Sequence, residues 1–146
     1  MTALFEHSPW VEERADAQPS SGDRHADLMA VMYAASPEEQ LALIRAHPEL
    51  AGKAAIDKTL TDASSAEQAS AGLDRLTPQE FDQFHVLNGA YRDKFGFPFI
   101  ICVRLTDKAG ILTAMERRLG NEREAEVETA LGQIGEIVRL RLEDLK

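Results

Sequence analysis

Helix-start signals recur along this chain more densely than any other pattern. Three segments have the form of a capping box, a Ser or Thr followed three residues later by Glu: Ser36-Pro37-Glu38-Glu39, Ser64-Ser65-Ala66-Glu67 and Thr77-Pro78-Gln79-Glu80. In that arrangement the hydroxyl accepts from the third backbone N–H and the Glu reaches back to the cap N–H. Two donors that a helix start leaves unpaired are thereby satisfied together. In two of the three a proline follows the cap, where its missing N–H costs nothing. A chain punctuated this way folds as helices.

The apolar residues between these marks agree. Leu28, Val31, Met32 and Ala35 recur at i, i+3, i+4 and i+7, which predicts an amphipathic helix of about four turns. The Ser36 box opens a helix through Leu41, Leu43 and Ile44. It stops near His47, because Pro48 pushes the residue before it out of the α region. Ser8 ahead of Pro9 predicts a capped short helix, and Pro19 to Asp23 a break. Ala51 to Ala63 reads as a loop, the Ser64 box as a helix start and Gly72 as a C-terminal cap. The Thr77 box opens a long helix with Phe81, Phe84, Leu87 and Tyr91 on its buried face, ending at Gly96. Ile111, Leu112, Met115 and Leu119 mark another helix, closed by Gly120. Asn121 and Glu124 open the last one, which runs to the C-terminus.

The stretch FGFPFIICV departs from the helical period. It is apolar on both sides of its backbone and Pro98 blocks a regular helix, so it is expected to run extended and buried through the middle. No repeat, low-complexity tract or long linker divides the chain. The expectation is one all-α domain over residues 1–146, with six to eight helices and one buried extended segment.

Composition narrows the functions such a domain can serve. The 146 residues are 44% hydrophobic and 28% charged, enough for a normal core and a polar shell. Sixteen Lys and Arg against 25 Asp and Glu give a formal charge of −9, which argues against nucleic-acid and anionic-membrane partners. A lone Cys102 excludes an internal disulfide or a Cys-based zinc cluster and fits a reducing compartment. Metal-ligand spacings, glycine-rich phosphate loops and GxSxG are absent, so no metal is expected. No basic-plus-apolar leader is visible, and the longest apolar run, Phe97 to Val103, is far short of the roughly 20 residues of a membrane span. The ending Asp144-Leu145-Lys146 is not a peroxisomal address. A cytoplasmic setting is the expectation.

Three residues carry the functional argument. On the last helix Val127, Leu131, Ile134, Val138 and Leu145 form the apolar stripe, and Arg141 fills its missing position, within about 40° of the stripe's centre. A guanidinium facing a core needs an anion. It either snorkels outward or pairs with a structural carboxylate, or it clamps a ligand's carboxylate or carbonyl through its two-pronged fork. His47 at a helix end is a cap or surface residue on one reading, and a general acid or base near neutrality on the other. Glu67 is either the third residue of its capping box or part of a site that includes the helix start at Ser64. Of the other histidines, His7 and His25 lie in poor or exposed contexts and His85 is expected to be packed.

Beyond these single residues, LIRAHPELAGKAA (43–55), SSAEQASAGLDRLTPQEF (64–81), LNGAYRDKFGFPFIICVR (87–104) and the closing ALGQIGEIVRLRLEDL occur in an order that resembles one family. Together with Ser8-Pro9-Trp10 they look like 2-oxo-4-hydroxy-4-carboxy-5-ureidoimidazoline (OHCU) decarboxylase of urate degradation, over nearly the whole chain. The resemblance implies an all-α, homodimeric carboxy-lyase with no cofactor that converts its small anionic purine-derived substrate to (S)-allantoin and CO2. It implies His47 and Glu67 as catalytic residues, with Pro48, Ser64, Ser65, Ala66, Gln68 and Arg141 binding substrate. It also implies that Phe99, Ile100, Ile101, Cys102 and Val103 meet the substrate through their backbone. Two positions depart from the family's pattern: Glu49 stands where Asp is common, and Leu105 where glycine often follows the Val-Arg pair.

An anionic substrate and a charge of −9 together imply a locally positive pocket made by Arg141 and the helix start at Ser64. Two other classes compete with this reading. The tripeptide His47-Pro48-Glu49 is similar to the HPD motif of J-domain co-chaperones, but it has Glu for Asp and no strongly basic helix before it. An inactive binding subunit of the same fold is disfavoured by the intact set of His47, Glu67, Gln68 and Arg141.

Overall fold

The computed structural model describes residues 4–5, 8–47, 50, 62–73 and 75–144, the side chains of 62–65 excepted. Among the described residues it holds seven α-helices and no strand. The helices are α1 (Trp10–Asp16), α2 (Arg24–Ala34), α3 (Pro37–Arg45), α4 (Asp62–Ser70), α5 (Pro78–Phe95), α6 (Lys108–Arg118) and α7 (Arg123–Asp144), with a 3-10 turn at Val103–Leu105. The all-α expectation holds. Among the described residues no helix is long and apolar enough to cross a membrane.

Two of the three capping boxes form. Ser36 Oγ accepts from Glu39 N–H at 3.1 Å while Ser36 N–H donates to the Glu39 carboxylate at 3.1 Å, and α3 starts there. Thr77 and Glu80 repeat the exchange at 3.1 and 2.9 Å to open α5. Ser64 is not the helix start that the remaining box predicts: α4 runs from Asp62, and Ser64 is its third residue. Glu67 therefore sits in mid-helix, with its carboxylate turned to Arg141. Ser8 is not a side-chain cap either. Pro9 occupies the N-cap of α1, and Ser8 contributes its carbonyl to the Val11 N–H at 3.3 Å.

Helix ends follow the glycines. Gly72 at φ 84° lets Leu73 N–H reach Gln68 C=O and Gly72 N–H reach Ala69 C=O, both at 3.0 Å, the paired bonds of a Schellman end. Gly96 at φ 79° ends α5 with a single bond, its N–H to Arg92 C=O at 2.7 Å, and turns the chain into the apolar segment. Helix α2 is three turns rather than four. Asp23 caps it, and Ala35 leaves the helix at ψ 159° to deliver Ser36 as the next cap. The loop expected from Ala51 to Ala63 lies mostly outside the described residues.

The long helix α7 is the spine. It packs on α2 and α3, and α5 packs on α6. Its buried positions are Glu126, Ala130, Leu131, Ile134, Gly135, Val138 and Arg141, the stripe expected with Arg141 in it. Val127 is only half-buried, and Leu145 lies outside the described residues. At Gly135 a Cβ would meet Met29 Sδ at 3.0 Å, so the missing side chain lets α2 approach closely. His25, on α2, reaches the Gly135 carbonyl at 3.0 Å. His85 is exposed, not packed. It lies one step round α5 from the buried Phe84 and stacks on Phe81, with ring centroids 6.3 Å apart.

The segment after Gly96 is buried as expected, with Phe97, Phe99, Ile100, Cys102 and Val103 inside. Phe97 and Phe99 set their rings on edge against Tyr91, at 5.9 and 5.3 Å. The Tyr91 hydroxyl, held in the neutral form by burial, donates to Glu126 at 2.6 Å. Glu126 also accepts from Arg118 Nε at 2.8 Å and Asn121 Nδ2 at 2.9 Å. This buried ion pair is anchored from three sides, and so its charges do not stand alone in the core.

Candidate active site

Four parts of the chain meet at one cleft of about 480 Å3 that is partly open to solvent. The residue just beyond α3 supplies His47, and α4 supplies Glu67 and Gln68. The segment from Phe99 to Val103 forms one wall, and α7 contributes Ile137 and Arg141.

His47 is half-buried, and its Nδ1 lies 2.9 Å from Leu43 C=O, one turn back in α3. A carbonyl oxygen can only accept, so Nδ1 carries the proton. In the neutral ring the lone pair is then on Nε2. Helix α3 ends at Arg45 with Ala46 as its cap, as the proline at 48 requires, so His47 stands clear of the helix but is tethered to its last turn.

Arg141 and Glu67 form a fork-to-fork pair. Arg141 Nε donates to one carboxylate oxygen at 2.8 Å and Nη2 to the other at 2.7 Å, while Nη1 reaches Leu4 C=O at 3.2 Å. Both side chains are close to dry, 6% and 13% exposed. Of the two readings of Arg141 left open by periodicity, the structure places its fork on a carboxylate of this chain. Gln68, buried, lies beside Glu67 on the cleft wall.

Ala66 is exposed and does not line the cleft. Pro48 lies outside the described residues, as do the side chains of Ser64 and Ser65. All five residues from Phe99 to Val103 line the cleft. Cys102 is buried, and burial pushes its thiol upward, opposed by the Arg104 backbone N–H and reinforced by the charge of Glu67. It is a small wall residue and not a thiolate nucleophile.

Sequence reasoning passed over Leu50, Arg104 and Ile137, which also line the cleft. Arg104 grips Asp144 near the end of α7 at 2.7 and 3.1 Å, and this bond holds its guanidinium firmly protonated. Nothing in local pattern marks it, because its partner is 40 residues away. The lining holds two guanidiniums and one carboxylate. Each guanidinium is paired, Arg141 with Glu67 in the lining and Arg104 with Asp144 outside it. Among the described residues, no group of three or more His, Cys, Asp or Glu side chains could hold a metal ion.

Comparison with known proteins follows this geometry. A family model described as OHCU decarboxylase matches residues 1–143. The 2-oxo-4-hydroxy-4-carboxy-5-ureidoimidazoline decarboxylase of Halalkalicoccus jeotgali is 46% identical over 145 residues, which is 97% of this chain and 80% of that protein. The mouse protein of the same name is 39% identical, with 97% of this chain and 82% of that one covered. The uric acid degradation bifunctional protein of Bacillus subtilis is 44% identical across 98% of this chain, which spans 29% of that longer protein. Among solved structures, (S)-allantoin synthase superposes with a TM-score of 0.71 at 31% identity, covering 97% of this chain and 46% of that one. An OHCU decarboxylase solved in the presence of (S)-allantoin shares the fold, with a TM-score of 0.75 at 20% identity over 97% of this chain and 93% of that one. With a family model matched over almost its full length and relatives covered in large part, this chain belongs to the OHCU decarboxylase family.

Proposed function

We propose that the chain decarboxylates 2-oxo-4-hydroxy-4-carboxy-5-ureidoimidazoline to (S)-allantoin and CO2, with His47 as the proton carrier. The observation that carries the reading is the tethered imidazole. Nδ1–H is committed to Leu43 C=O, so Nε2 is the acceptor, in the same cleft as the Glu67–Arg141 pair.

The substrate's carboxylate sits on a carbon that also bears a hydroxyl, next to a ring C=N. When the C–CO2 bond breaks, its electron pair forms a carbon–carbon double bond and the imine pair moves onto nitrogen, which takes a proton. The hydroxyl then loses its proton as the carbonyl forms, and the neighbouring ring carbon gains one. The substrate holds its own electron sink, so the work left to the protein is placement, charge stabilisation and proton movement. His47 Nε2 takes the hydroxyl proton and returns it to the ring carbon from one face, which sets one hand of allantoin. Arg141 holds Glu67 in a single orientation and offsets its charge, so that an anion can approach. Gln68 and the backbone around Ile101 and Val103 read the urea-like edges. No cofactor enters this reading.

A cytoplasmic homodimer is part of the same proposal, supported by the family resemblance. Light scattering at the mass of two chains, rather than one, tests the dimer.

The decisive experiment generates the substrate in situ from urate with urate oxidase and 5-hydroxyisourate hydrolase, then follows the circular dichroism of allantoin. Wild-type protein gives optically active product. His47→Ala leaves only the slow appearance of racemic allantoin. Full stereoselective turnover by that variant would defeat the assignment.

A further inference from the structure

The wall from Phe99 to Val103 presents its backbone in two different conditions. Ile100 C=O accepts from Arg118 Nη1 at 2.8 Å, and Cys102 N–H donates to Gln133 Oε1 at 2.9 Å. Cys102 C=O is taken by Leu105 N–H at 3.1 Å. By contrast, the N–H and C=O of Ile101 and the N–H of Val103 make no hydrogen bond among the described residues. In extended chain, successive residues turn their polar groups to opposite sides, and Cys102 lies in the extended region at φ −75°, ψ 95°. Ile100 C=O and both polar groups of Cys102 are therefore held by the protein, and Val103 C=O closes onto Thr106 N–H at 3.2 Å. The two groups of Ile101 and the N–H of Val103, on residues that line the cleft, are the ones left over.

The two side chains doing the holding are built for it. Arg118 is 4% exposed, lies over the Phe99 ring at 4.3 Å, and is aimed by Glu126, which Tyr91 and Asn121 hold in turn. Its two neighbours on the wall, a carbonyl and a ring, are thus fixed by one guanidinium. Gln133, half-buried on α7, lies eight residues before Arg141 on the same helix. One rigid element therefore sets both Arg141 and the Cys102 peptide.

We propose that Arg118 and Gln133 are positioning residues. By gripping alternate peptide groups from α6 and α7, they fix the intervening Ile101 and Val103 groups as a preset row of donors and an acceptor for the urea-like edge of the ligand. The inference rests on the decarboxylase reading for what that ligand is. A row already in place costs nothing to order when the ligand arrives, and it keeps one face of the ring toward His47.

The test uses Gln133→Leu, which keeps the volume and removes the acceptor, beside Gln133→Glu, which keeps an acceptor oxygen. Each full-length variant is assayed with substrate made in situ, and KM, kcat, the enantiomeric excess of allantoin and the melting temperature are measured. Gln133→Leu is expected to raise KM about tenfold and to lower the (S) excess, with melting within a few degrees of wild type and faster amide exchange at Cys102. Gln133→Glu is expected to return KM to within about twofold. Arg118→Lys, which keeps the charge opposite Glu126 but cannot also reach Ile100 C=O, is expected to raise KM in the same way. If that variant does not fold, the glutamine pair carries the test. Wild-type KM and enantiomeric excess in Gln133→Leu overturn the proposal while leaving the decarboxylase reading intact. A wild-type protein that turns over no substrate overturns both.

Discussion

Arg141→Lys separates charge from geometry at the centre of the site. Among the described residues the guanidinium makes two bonds to Glu67, at 2.7 and 2.8 Å, and one to Leu4 C=O at 3.2 Å. A lysine ammonium keeps the charge but is a point donor without the fork, and it can satisfy one carboxylate oxygen at most in the same pose. One charge-assisted bond and the Leu4 bond are then lost. A hydrogen bond to a charged group contributes about 1.5–3 kcal/mol, and the pair is nearly dry, so a loss of about 2–4 kcal/mol follows. For a domain of this size that lowers the melting temperature by about 5–15 °C. If the fork also fixes Glu67 in the reacting arrangement, about 2–3 kcal/mol of transition-state stabilisation goes with it, a fall in kcat/KM of about 30- to 150-fold. Thermal melts and the circular-dichroism assay read the two numbers, and a double-mutant cycle with Glu67→Gln isolates the coupling. Stability within about 0.5 kcal/mol of wild type together with kcat/KM within twofold would refute the reasoning, since a fork that matters to neither quantity is not organising the site.

Two further outcomes follow from the charge environment. Cys102 is expected to resist iodoacetamide in the folded protein at pH 8 and to react readily in denaturant, because burial disfavours its thiolate; rapid labelling of native protein would contradict the buried wall. The Arg14 guanidinium and the Ser36 backbone N–H hold the half-buried Glu39 carboxyl down to about 2, below the ordinary value of 4.5. A depressed carboxylate contributes stability above its unfolded value and loses it as pH falls, so this contribution fades between about pH 4.5 and 2. Melting measured across that range should fall less steeply in Glu39→Gln than in wild type, and an unchanged slope would remove Glu39 from the acid response.

Local sequence carried the helices because their signals are local. A capping box closes within four residues, so Ser36 and Thr77 could be read directly, as could the glycine ends at 72 and 96. Periodicity placed Arg141 in the buried stripe of α7 for the same reason. The Ser64 box shows the limit: the same four-residue pattern fits a helix start and mid-helix, and only the packing of Glu67 against Arg141 decides between them. His85 fails similarly, since the position beside a buried Phe84 is inside or outside according to which neighbours cover the helix.

The family and its chemistry were legible from ordered motifs, and with them His47 and the wall from Phe99 to Val103. What the tertiary structure alone decided is who meets whom. Arg141 finds Glu67 from 74 residues away and Leu4 from 137. Arg104 finds Asp144, and Gln133 finds the Cys102 amide, at separations of 40 and 31 residues. Hydrogen bonds of this range leave no periodic trace, because each partner satisfies its own helix or loop equally well before the chain folds. A sequence can therefore state that a buried guanidinium needs an anion, but the choice of anion is made by the packing of helices, which brings the Glu67 carboxylate within 3 Å of Arg141 and the Glu126 carboxylate within 3 Å of Arg118.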